Sequence, residues 1–370
     1  MGEKISWVGF DVVQNFIIDS FKGLGVPEED AKVCAEVLIT ADKRGIDSHG
    51  AGRFKTIYYD RIKEGIQNPV TKFEIIKDSP ATAVVDGHHG MGHVIGTRAM
   101  QMAIDKAKQY GMGMVAVRNS THYGIAGYYG LMAIEQGMMG ITGSNARPSI
   151  APTFGVENML GTNPLTFGMP TDEEFPFVLD CATSVSQRGK IEVYDRANKE
   201  LPKGWVIDEN GNTRTDTHQI LEDLVTGKAA LTPLGGIGED TAGYKGYGYA
   251  TVVEILCAAL QNGAFLKGLS GRDEDGNHIP YKLGHFFIAI NVSSFIDLNV
   301  FKKIAGTILR QLRNSKKMPG ESRIYTAGEK EYLAWLDRKD KGVPLNESLQ
   351  KQFLTVKKEQ GLNQYKFPFE

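Results

Sequence analysis

The chain has 370 residues, of which 41% are hydrophobic and 23% are charged, a balance typical of a folded globular protein. This length is sufficient for two domains or for one large domain with an appendage. The formal net charge of −2, without a long basic run, argues against a nucleic-acid partner and against binding to a membrane surface. The chain start carries no apolar signal-peptide region, and no segment approaches the roughly 20 apolar residues that span a bilayer.

Cysteine usage indicates a reducing compartment. Cys34, Cys181 and Cys257 are odd in number and widely spaced, which favours free thiols over disulfides or a structural zinc site. We therefore expect a soluble protein of the cytoplasm, with no membrane or nucleic-acid partner.

Both ends of the chain have the periodicity of helices. Helices are predicted at residues 12–24, 27–43 and 53–63, with Pro27 at the start of the second. Towards the C-terminus, amphipathic helices are predicted at residues 299–317, with Asn299 as the cap, and at residues 347–360. We expect the two ends to form a discontinuous helical subdomain of residues 1–75 and about 310–370.

The middle of the chain alternates between strands and helices, which predicts an α/β domain over residues 76–309. The predicted strands are residues 81–85, 112–117, 139–143, 165–169, 177–180 and 285–291. The predicted helices are residues 97–110, 127–136 and 249–264. Residues 205–211 are predicted to be a loop with a turn at Asn210-Gly211.

The segment 47–53 carries the most informative side chains. His49 and Arg53 are four residues apart at a predicted helix start that Asp47 or Ser48 can cap. Residues at this spacing share a helix face, so both side chains could point into one pocket. An imidazole exchanges protons near neutral pH, and a guanidinium binds a carboxylate through two hydrogen bonds. The pair therefore suits a substrate with a carboxylate beside a carbonyl or hydroxyl, although a surface helix start has the same pattern.

Three glycines invite comparison with the Rossmann dinucleotide fingerprint. Gly90, Gly92 and Gly96 follow a predicted strand and precede a helix. The last glycine comes one residue late, and the next strand ends without the acidic residue that binds a ribose hydroxyl. We therefore favour a tight turn over a Rossmann site.

A histidine cluster raises the possibility of a metal site. His89 and His93 could be ligands on one helix face if the helix began early, with His88 beside them. The nearby carboxylates are limited to Asp86, and no Glu follows the first His as in the metalloprotease pattern. A metal-dependent hydrolase is therefore the alternative from a different class of enzyme.

Several polar residues lie where α/β proteins place functional side chains. His122 lies between a strand end and a helix, Thr162 lies in the turn 161–164, and Asp180 ends an apolar strand. Lys245 lies at a predicted helix start, where the helix dipole disfavours a cation unless an anion such as a dinucleotide phosphate binds beside it. Ordinary turn and capping roles remain open for each of these residues.

The order of these motifs resembles the malate/L-lactate dehydrogenase family that is distinct from Rossmann-type enzymes. That family also contains L-sulfolactate dehydrogenase, ureidoglycolate dehydrogenase, 2,3-diketogulonate reductase and cyclic-imine reductases. The resemblance extends from about residue 5 to about residue 325. The motifs are Asp47-Ser48-His49-Gly50 with Arg53, Ser120-Thr121-His122-Tyr123-Gly124, Gly161-Thr162-Asn163-Pro164, Leu179-Asp180 with Ala182-Thr183-Ser184, Gly243-Tyr244-Lys245-Gly246-Tyr247-Gly248 and Gly284-His285-Phe286-Phe287.

The resemblance implies an α/β fold with a mixed sheet flanked by helices, like L-sulfolactate dehydrogenase, and a helical subdomain from the chain ends. It also implies a homodimer that uses NAD or NADP without a Rossmann motif. The segment 201–231 and the tail beyond residue 325 are longer than in the shorter family members. Their effect on the oligomer is left open.

The resemblance further implies roles for individual residues. His49 would be the proton donor and acceptor for the substrate oxygen, and Arg53 would anchor the substrate carboxylate. Ser48, His122 and Thr162 would line the reacting centre. The residues implied to contact the dinucleotide are Ser144, Asp180, Ala182, Ser184, Lys245, Gly320 and Glu321.

The activity implied is hydride transfer between nicotinamide and a 2-hydroxy or 2-oxo acid. Malate and oxaloacetate are the first choice, because polar and cationic residues around the site could accept a second carboxylate. NAD is favoured over NADP, although no residue for the ribose 2′ position is readable from a motif. Lactate, sulfolactate, another 2-oxo acid or a cyclic imine are the alternatives within the family, and a dinucleotide-binding protein without turnover is a further alternative.

Overall fold

The computed structural model describes residues 5–370. Among these residues, no helix has the combination of length and apolar character that crossing a membrane requires. The strands are β1 (Ser6–Val8), β2 (Glu74–Asp78), β3 (Thr82–Asp86), β4 (Met112–Ser120), β5 (Met138–Ser144), β6 (Leu165–Met169), β7 (Phe177–Cys181), β8 (Val206–Asp208), β9 (Thr213–Arg214), β10 (Ala229–Leu231), β11 (Leu283–Asn291) and β12 (Val343–Leu345).

Helices occur at both ends of the chain and between the strands of its middle part. They are α1 (Phe10–Gly23), α2 (Glu28–Lys43), α3 (Ala51–Arg53), α4 (Asp60–Lys63), α5 (Gly92–Tyr110), α6 (Gly127–Glu135), α7 (Arg188–Arg196), α8 (Thr217–Thr226), α9 (Gly243–Ala258), α10 (Leu298–Arg313), α11 (Glu329–Arg338) and α12 (Glu347–Gln360). A π-helical segment, Phe54–Tyr59, joins α3 to α4.

A seven-stranded mixed sheet forms the centre of the molecule, in the order β2-β3-β4-β11-β5-β6-β7. Strands β3 and β4 are parallel, because α5 carries the chain back across the sheet between them, and the other neighbouring strands of this sheet are antiparallel. The prediction of a mixed sheet flanked by helices is confirmed.

Strand β11 shows how the sheet is covered on both faces. Phe287 and Ala289 pack with residues of α5 and α6, whereas Phe286 packs with Val253 and Cys257 of α9. Neighbouring residues of a strand point to opposite faces, so a strand that is buried on both faces has a continuous apolar run. The result is a three-layer arrangement, with helices packed on both faces of the sheet.

The two chain ends pack together in a separate hydrophobic cluster. Phe16 of α1 stacks on Phe353 of α12 with a ring-centroid distance of 5.1 Å, and it contacts Phe367 edge-on at 5.2 Å. Strand β1 pairs antiparallel with β12 beside this cluster. The division of the chain at residues 75 and 310 into a helical subdomain and an α/β domain stays a prediction.

Three predicted element boundaries are wrong, and each has a structural reason. Helix α5 begins at Gly92 instead of residue 97, because Thr121 Oγ1 accepts a hydrogen bond from Gly92 N at 2.9 Å and so serves as a cap from elsewhere in the chain. Helix α9 begins at Gly243 instead of residue 249, because glycine lets this first turn pack closely on the backbone, where a Cβ atom at residue 243 would lie 2.0 Å from Gly236 O. The cap of α10 is Asp297, which accepts hydrogen bonds from Asn299 N and Val300 N at 2.9 and 3.1 Å.

Residues 205–211 are not a loop throughout, contrary to the prediction. Val206 and Ile207 are buried in β8, which pairs with β9 and β10 in a small antiparallel sheet. Burial of these two side chains favours the strand over a solvated loop. The turn at Asn210-Gly211 is present, with Gly211 N donating to Asp208 O at 3.0 Å.

Candidate active site

His49 lies in a turn that precedes α3, so the prediction that it shares a helix face with Arg53 is wrong. The helix start is capped from α2, where Asp42 Oδ2 accepts a hydrogen bond from Ala51 N at 2.8 Å. A Cβ atom at Gly50 would lie 2.0 Å from Asp42 Oδ1, which explains the glycine after His49. Asp47 is not the cap, because its carboxylate pairs with Arg338.

The structure nevertheless brings the His49 and Arg53 side chains into one region. Ser48 Oγ lies 2.9 Å from His49 Nδ1, and Arg53 Nε donates to Ser48 O at 2.6 Å. This hydrogen bond holds the Arg53 side chain through Nε and leaves its terminal nitrogens for an anion. Arg53 lines a cleft of about 560 Å³ together with Ser48 and the acidic Glu192. Gly189 of α7 lies across the cleft, where a Cβ atom would be 3.6 Å from Arg53 Nη2.

A second imidazole faces His49. His122 follows the end of β4, and its ring centroid lies 5.7 Å from that of His49 with the planes inclined by 21°. Its Nδ1 atom lies 2.5 Å from Tyr58 Oη and accepts a hydrogen bond from Gly124 N at 3.3 Å. A backbone N–H can only donate, so Nδ1 carries no proton and Nε2–H is the donor of His122.

Burial and neighbouring charges keep both imidazoles neutral. Burial, followed by the charge of Arg53, lowers the pKa of His49 from its ordinary value to about 4. Burial lowers the pKa of His122 well below its ordinary value, and the nearby His49 and Arg61 contribute to the same shift. At neutral pH His49 can therefore accept a proton, whereas His122 offers a neutral N–H donor.

Tyr58 is a functional candidate that the sequence prediction missed. It lies in the π-helical segment, a distortion that is frequent at functional sites. Its ring packs against His93, with a centroid distance of 4.4 Å, and its hydroxyl reaches His122. The available signal was its position five residues after Arg53, but a regular helix would have directed it elsewhere.

The histidines of the predicted metal cluster point in different directions. His88 Nε2 contacts Glu74 Oε2 at 2.6 Å, whereas His93 is buried against Tyr58. Burial lowers the pKa of His93 to about 3. Across residues 5–370, no group of three or more His, Cys, Asp and Glu side chains is arranged to hold a metal ion.

Of the three glycines near residue 90, Gly92 packs against the His122 loop. Gly90 closes a turn, as predicted, with its N–H donating to Gly87 O at 2.9 Å, but Gly92 and Gly96 belong to α5. A Cβ atom at Gly92 would lie 2.4 Å from His122 O, so only glycine allows α5 to start this close to the loop. Gly92 therefore brings α5 close to the His122 loop, and the three glycines form no Rossmann phosphate loop.

Backbone hydrogen bonds connect Thr162 to the start of α9. Thr183 N donates to Thr162 O at 3.0 Å, and Leu234 N donates to Thr183 O at 2.8 Å. Leu234 in turn packs closely against Gly246 of α9, where a Cβ atom would lie 2.2 Å from Leu234 O. Lys245, beside Gly246, has an exposed side chain in the first turn of α9.

The remaining predicted dinucleotide contacts differ in their surroundings. Asp180 accepts hydrogen bonds from Gly127 N at 2.7 Å and Thr166 Oγ1 at 2.9 Å, and burial raises its pKa. Ser144 and Ser184 are buried and donate to Asn145 O and Ser186 O, while Ala182 follows β7 and is half-buried. Gly320 and Glu321 lie in an exposed turn after α10, and the structure shows no contact between this turn and the other candidates.

The residues around α9 fit an anionic cofactor. The first turn of α9 contains Lys245 and no acidic residue. The positive end of the helix dipole and the positive charge of the lysine therefore meet no negative charge within this turn. A dinucleotide phosphate would supply the missing negative charge. Buried hydroxyls at Ser144 and Ser184 lie on the strand and loop that lead to this region.

Comparison with known proteins shows the family. The model of the malate/L-lactate dehydrogenase family matches residues 8–353. A malate dehydrogenase from Pyrococcus horikoshii is 42% identical over 95% of this chain and 95% of its own length. An L-sulfolactate dehydrogenase from Methanocaldococcus jannaschii is 40% identical over 95% of this chain and 96% of its own length.

A solved structure extends the likeness to the whole fold. The crystal structure of malate dehydrogenase from Entamoeba histolytica superposes with a TM-score of 0.93 at 47% identity, covering 97% of this chain and 99% of that one. Three observations point to the same family: the mixed sheet without a Rossmann phosphate loop, the facing imidazoles, and the match over nearly the entire chain. The chain belongs to the malate/L-lactate dehydrogenase family, whose members are oxidoreductases with a nicotinamide cofactor.

Proposed function

We propose that this protein is an NAD-dependent malate dehydrogenase that interconverts malate and oxaloacetate. The observation that carries the proposal is the pair of facing imidazoles, His49 and His122, beside the guanidinium of Arg53. The relatives from P. horikoshii and E. histolytica are malate dehydrogenases, which supports malate as the substrate. The relative from M. jannaschii makes sulfolactate the second candidate.

Arg53 binds the carboxylate next to the reacting carbonyl. Its terminal nitrogens form a planar fork that matches the two carboxylate oxygens. Its Nε is already bound to Ser48 O, so the side chain is held before substrate arrives. The carboxylate also offsets the positive charge that lowers the pKa of His49, and substrate binding therefore makes His49 easier to protonate.

The two histidines divide the proton chemistry. His49 gives a proton to the carbonyl oxygen in reduction and takes it back from the hydroxyl in oxidation. His122 stays neutral and donates Nε2–H to the same oxygen, because Tyr58 and Gly124 occupy its Nδ1 atom. Thr162 and Ser48 complete the lining of this centre, with Ser48 Oγ orienting the His49 ring through Nδ1.

When bound, the nicotinamide supplies the hydride that the carbonyl carbon accepts. We assign its binding to Ser144, Asp180, Ala182, Ser184, Lys245, Gly320 and Glu321. Lys245 and the start of α9 would hold phosphate, and Asp180, fixed by Gly127 and Thr166, would orient a ribose or the nicotinamide end. NAD is favoured over NADP, since a ureidoglycolate dehydrogenase relative from Escherichia coli is named for NAD.

We also propose a homodimer located in the cytoplasm. Tyr249, Val252 and Ile255 are about half exposed on α9, which is apolar on more than its buried face. Such a helix face is typical of a contact with another protein surface, which supports the dimer. The cytoplasmic location is supported by the three cysteines, which are unpaired, as in reducing compartments. Sedimentation equilibrium of wild type and Val252→Glu tests the dimer, since a charge in the contact should shift the protein to monomer.

The activity test is the oxidation of NADH and NADPH with several acids. Oxaloacetate, pyruvate, sulfopyruvate, 2,3-diketogulonate and a cyclic imine are compared, with the loss of reduced nicotinamide absorbance as the readout. Fastest turnover with oxaloacetate and NADH is the expected result. Fastest turnover with sulfopyruvate would select the second candidate. NADH binding without turnover of any acid would rule out both and leave a dinucleotide-binding protein.

A further inference from the structure

Arg61 is a second guanidinium close to the facing imidazoles. It lies in α4, three residues after Tyr58, and residues at this spacing lie on one side of a helix. The Tyr58 hydroxyl touches His122 Nδ1 at 2.5 Å, so this side of the helical segment faces the reacting centre. Arg61 and Arg53 both lie close enough to His122 for their charges to act on its protonation.

The guanidinium of Arg61 is fixed in position although no acid holds it. It stacks over the ring of Tyr281, with 4.2 Å between Cζ and the ring centroid. Gly271 supports that ring from behind, since a Cβ atom there would lie 2.4 Å from Tyr281 Cε1. Glu64, one turn further along, contacts His278 at 3.3 Å instead. Among residues 5–370, no Asp or Glu forms an ion pair with Arg61.

An unpaired, partly desolvated guanidinium is costly unless an anion binds to it. Burial lowers the pKa of Arg61, and the exposed Arg147 adds further positive charge nearby. A structural arginine would have a carboxylate or carbonyl partner, as Arg338 has in Asp47. The missing partner of Arg61 is therefore a ligand with its own negative charge.

We propose that Arg61 determines substrate specificity by binding the second anionic group of the substrate, the distal carboxylate or sulfonate, while Arg53 binds the carboxylate next to the carbonyl. This inference rests on the proposed function, because it takes the facing imidazoles as the reacting centre. Arg61 would therefore select 2-oxo acids with a second negative charge over pyruvate and over other 2-oxo acids whose side chains are neutral. The stack on Tyr281 holds the guanidinium plane in a fixed orientation, which favours planar, bidentate binding.

The test is the substrate preference of Arg61→Gln. We expect the ratio of kcat/KM for oxaloacetate to that for pyruvate to fall about 10- to 100-fold, the usual effect of losing a hydrogen-bonded charge pair. Sulfopyruvate is measured in parallel, and an equal fall with it would show that the site accepts either anion. Arg61→Lys should retain part of the preference, because the charge remains without the fork.

Lys63→Gln is the matched control. It removes a positive charge from the same helix, but Lys63 is exposed and pairs with Glu359 at 2.8 Å. Its preference ratio should stay at the wild-type value. An unchanged ratio in Arg61→Gln, or an equal loss with all acids, would overturn the inference, because the first excludes contact with the distal group and the second indicates a structural role.

Binding measurements separate this inference from the proposed function. Calorimetry with the NADH-loaded protein compares malate with lactate, and sulfolactate with lactate, without requiring turnover. If wild type turns over none of these acids, the proposed function fails. The inference about Arg61 still holds if the wild type prefers a dianion and Arg61→Gln loses that preference, and it fails if the preference is absent.

Discussion

The candidate site has two parts that differ in how completely the fold arranges them. His49, His122 and Tyr58 are held by short contacts to one another and to the backbone. Lys245 and the Gly320-Glu321 turn, assigned to the cofactor, are exposed. In the proposed site, the groups assigned to the reacting atoms are therefore positioned before substrate arrives, whereas the groups assigned to phosphate can be ordered by the ligand itself.

The same difference is visible in the electrostatics. Burial holds the pKa values of His49 and His122 below their ordinary value, so the fold keeps both rings uncharged at the cost of desolvating them. A bound anion that offsets the charge of Arg53 would remove the second of the two causes that lower the pKa of His49, the first being burial. The first turn of α9 has the opposite arrangement, because Lys245 is exposed to solvent there.

Replacing His49, which belongs to the part of the site that the fold holds in place, should have the largest effect. We expect His49→Ala to lower kcat by about 10²- to 10⁴-fold, the usual contribution of general acid–base catalysis. NADH binding, measured by fluorescence titration, should be retained, because the proposed role of His49 is proton transfer to the substrate and not contact with the cofactor. His218→Ala is the control, since this histidine is 85% exposed.

The pH profile sharpens this prediction. The pKa of His49 is lowered to about 4 in the free protein, so the protonated form that reduction requires becomes scarcer as the pH rises. Above that value, kcat/KM for reduction should fall about tenfold per pH unit until another step limits it. For oxidation, which requires the neutral ring, kcat/KM should rise up to that pH and then stay level. Wild-type turnover in His49→Ala would remove it from the mechanism.

Replacing Arg53 should have the next largest effect. Arg53→Lys keeps the charge but loses the planar fork and the Nε bond to Ser48 O. We expect KM for every 2-oxo acid to rise at least about tenfold, with a smaller change in kcat. Initial-rate kinetics with two acids of different length provide the measurement. An unchanged KM would place the substrate carboxylate elsewhere.

Replacing Tyr58 tests whether His122 is held in one tautomer. Tyr58→Phe removes the hydroxyl that occupies Nδ1 and keeps the ring that packs on His93. We expect kcat to fall about tenfold, because the Nε2–H donor is no longer enforced, while KM for NADH stays constant. Nitrogen chemical shifts of His122 report the tautomer directly. A lower kcat with an unchanged Nε2–H signal would indicate lost packing and would contradict the role given to the hydroxyl.

The sequence supported the sheet and the identity of the reacting residues better than their geometry. Apolar segments located β4, β6, β7 and β11, because a buried strand has a local signature. The position of His49 depends on the contact of Asp42 with Ala51, and that of Tyr58 on a π-helical distortion, neither of which has a local signature. The start of α5 depends on Thr121, distant in sequence. Motif order therefore identified the family, while tertiary contacts decided the local structure.

Replacing Lys245 should have the smallest effect, because the exposed part of the site acts through a solvated charge. We expect Lys245→Gln to raise the dissociation constant of NADH about two- to fivefold at low salt, with kcat at saturating NADH nearly constant. The change should shrink as salt is added, since an exposed charge is screened within about 10 Å at moderate ionic strength. Lys228→Gln, another exposed lysine, is the control. A large, salt-independent loss would mean that Lys245 becomes buried on binding, and the two parts of the site would then differ less than the structure indicates.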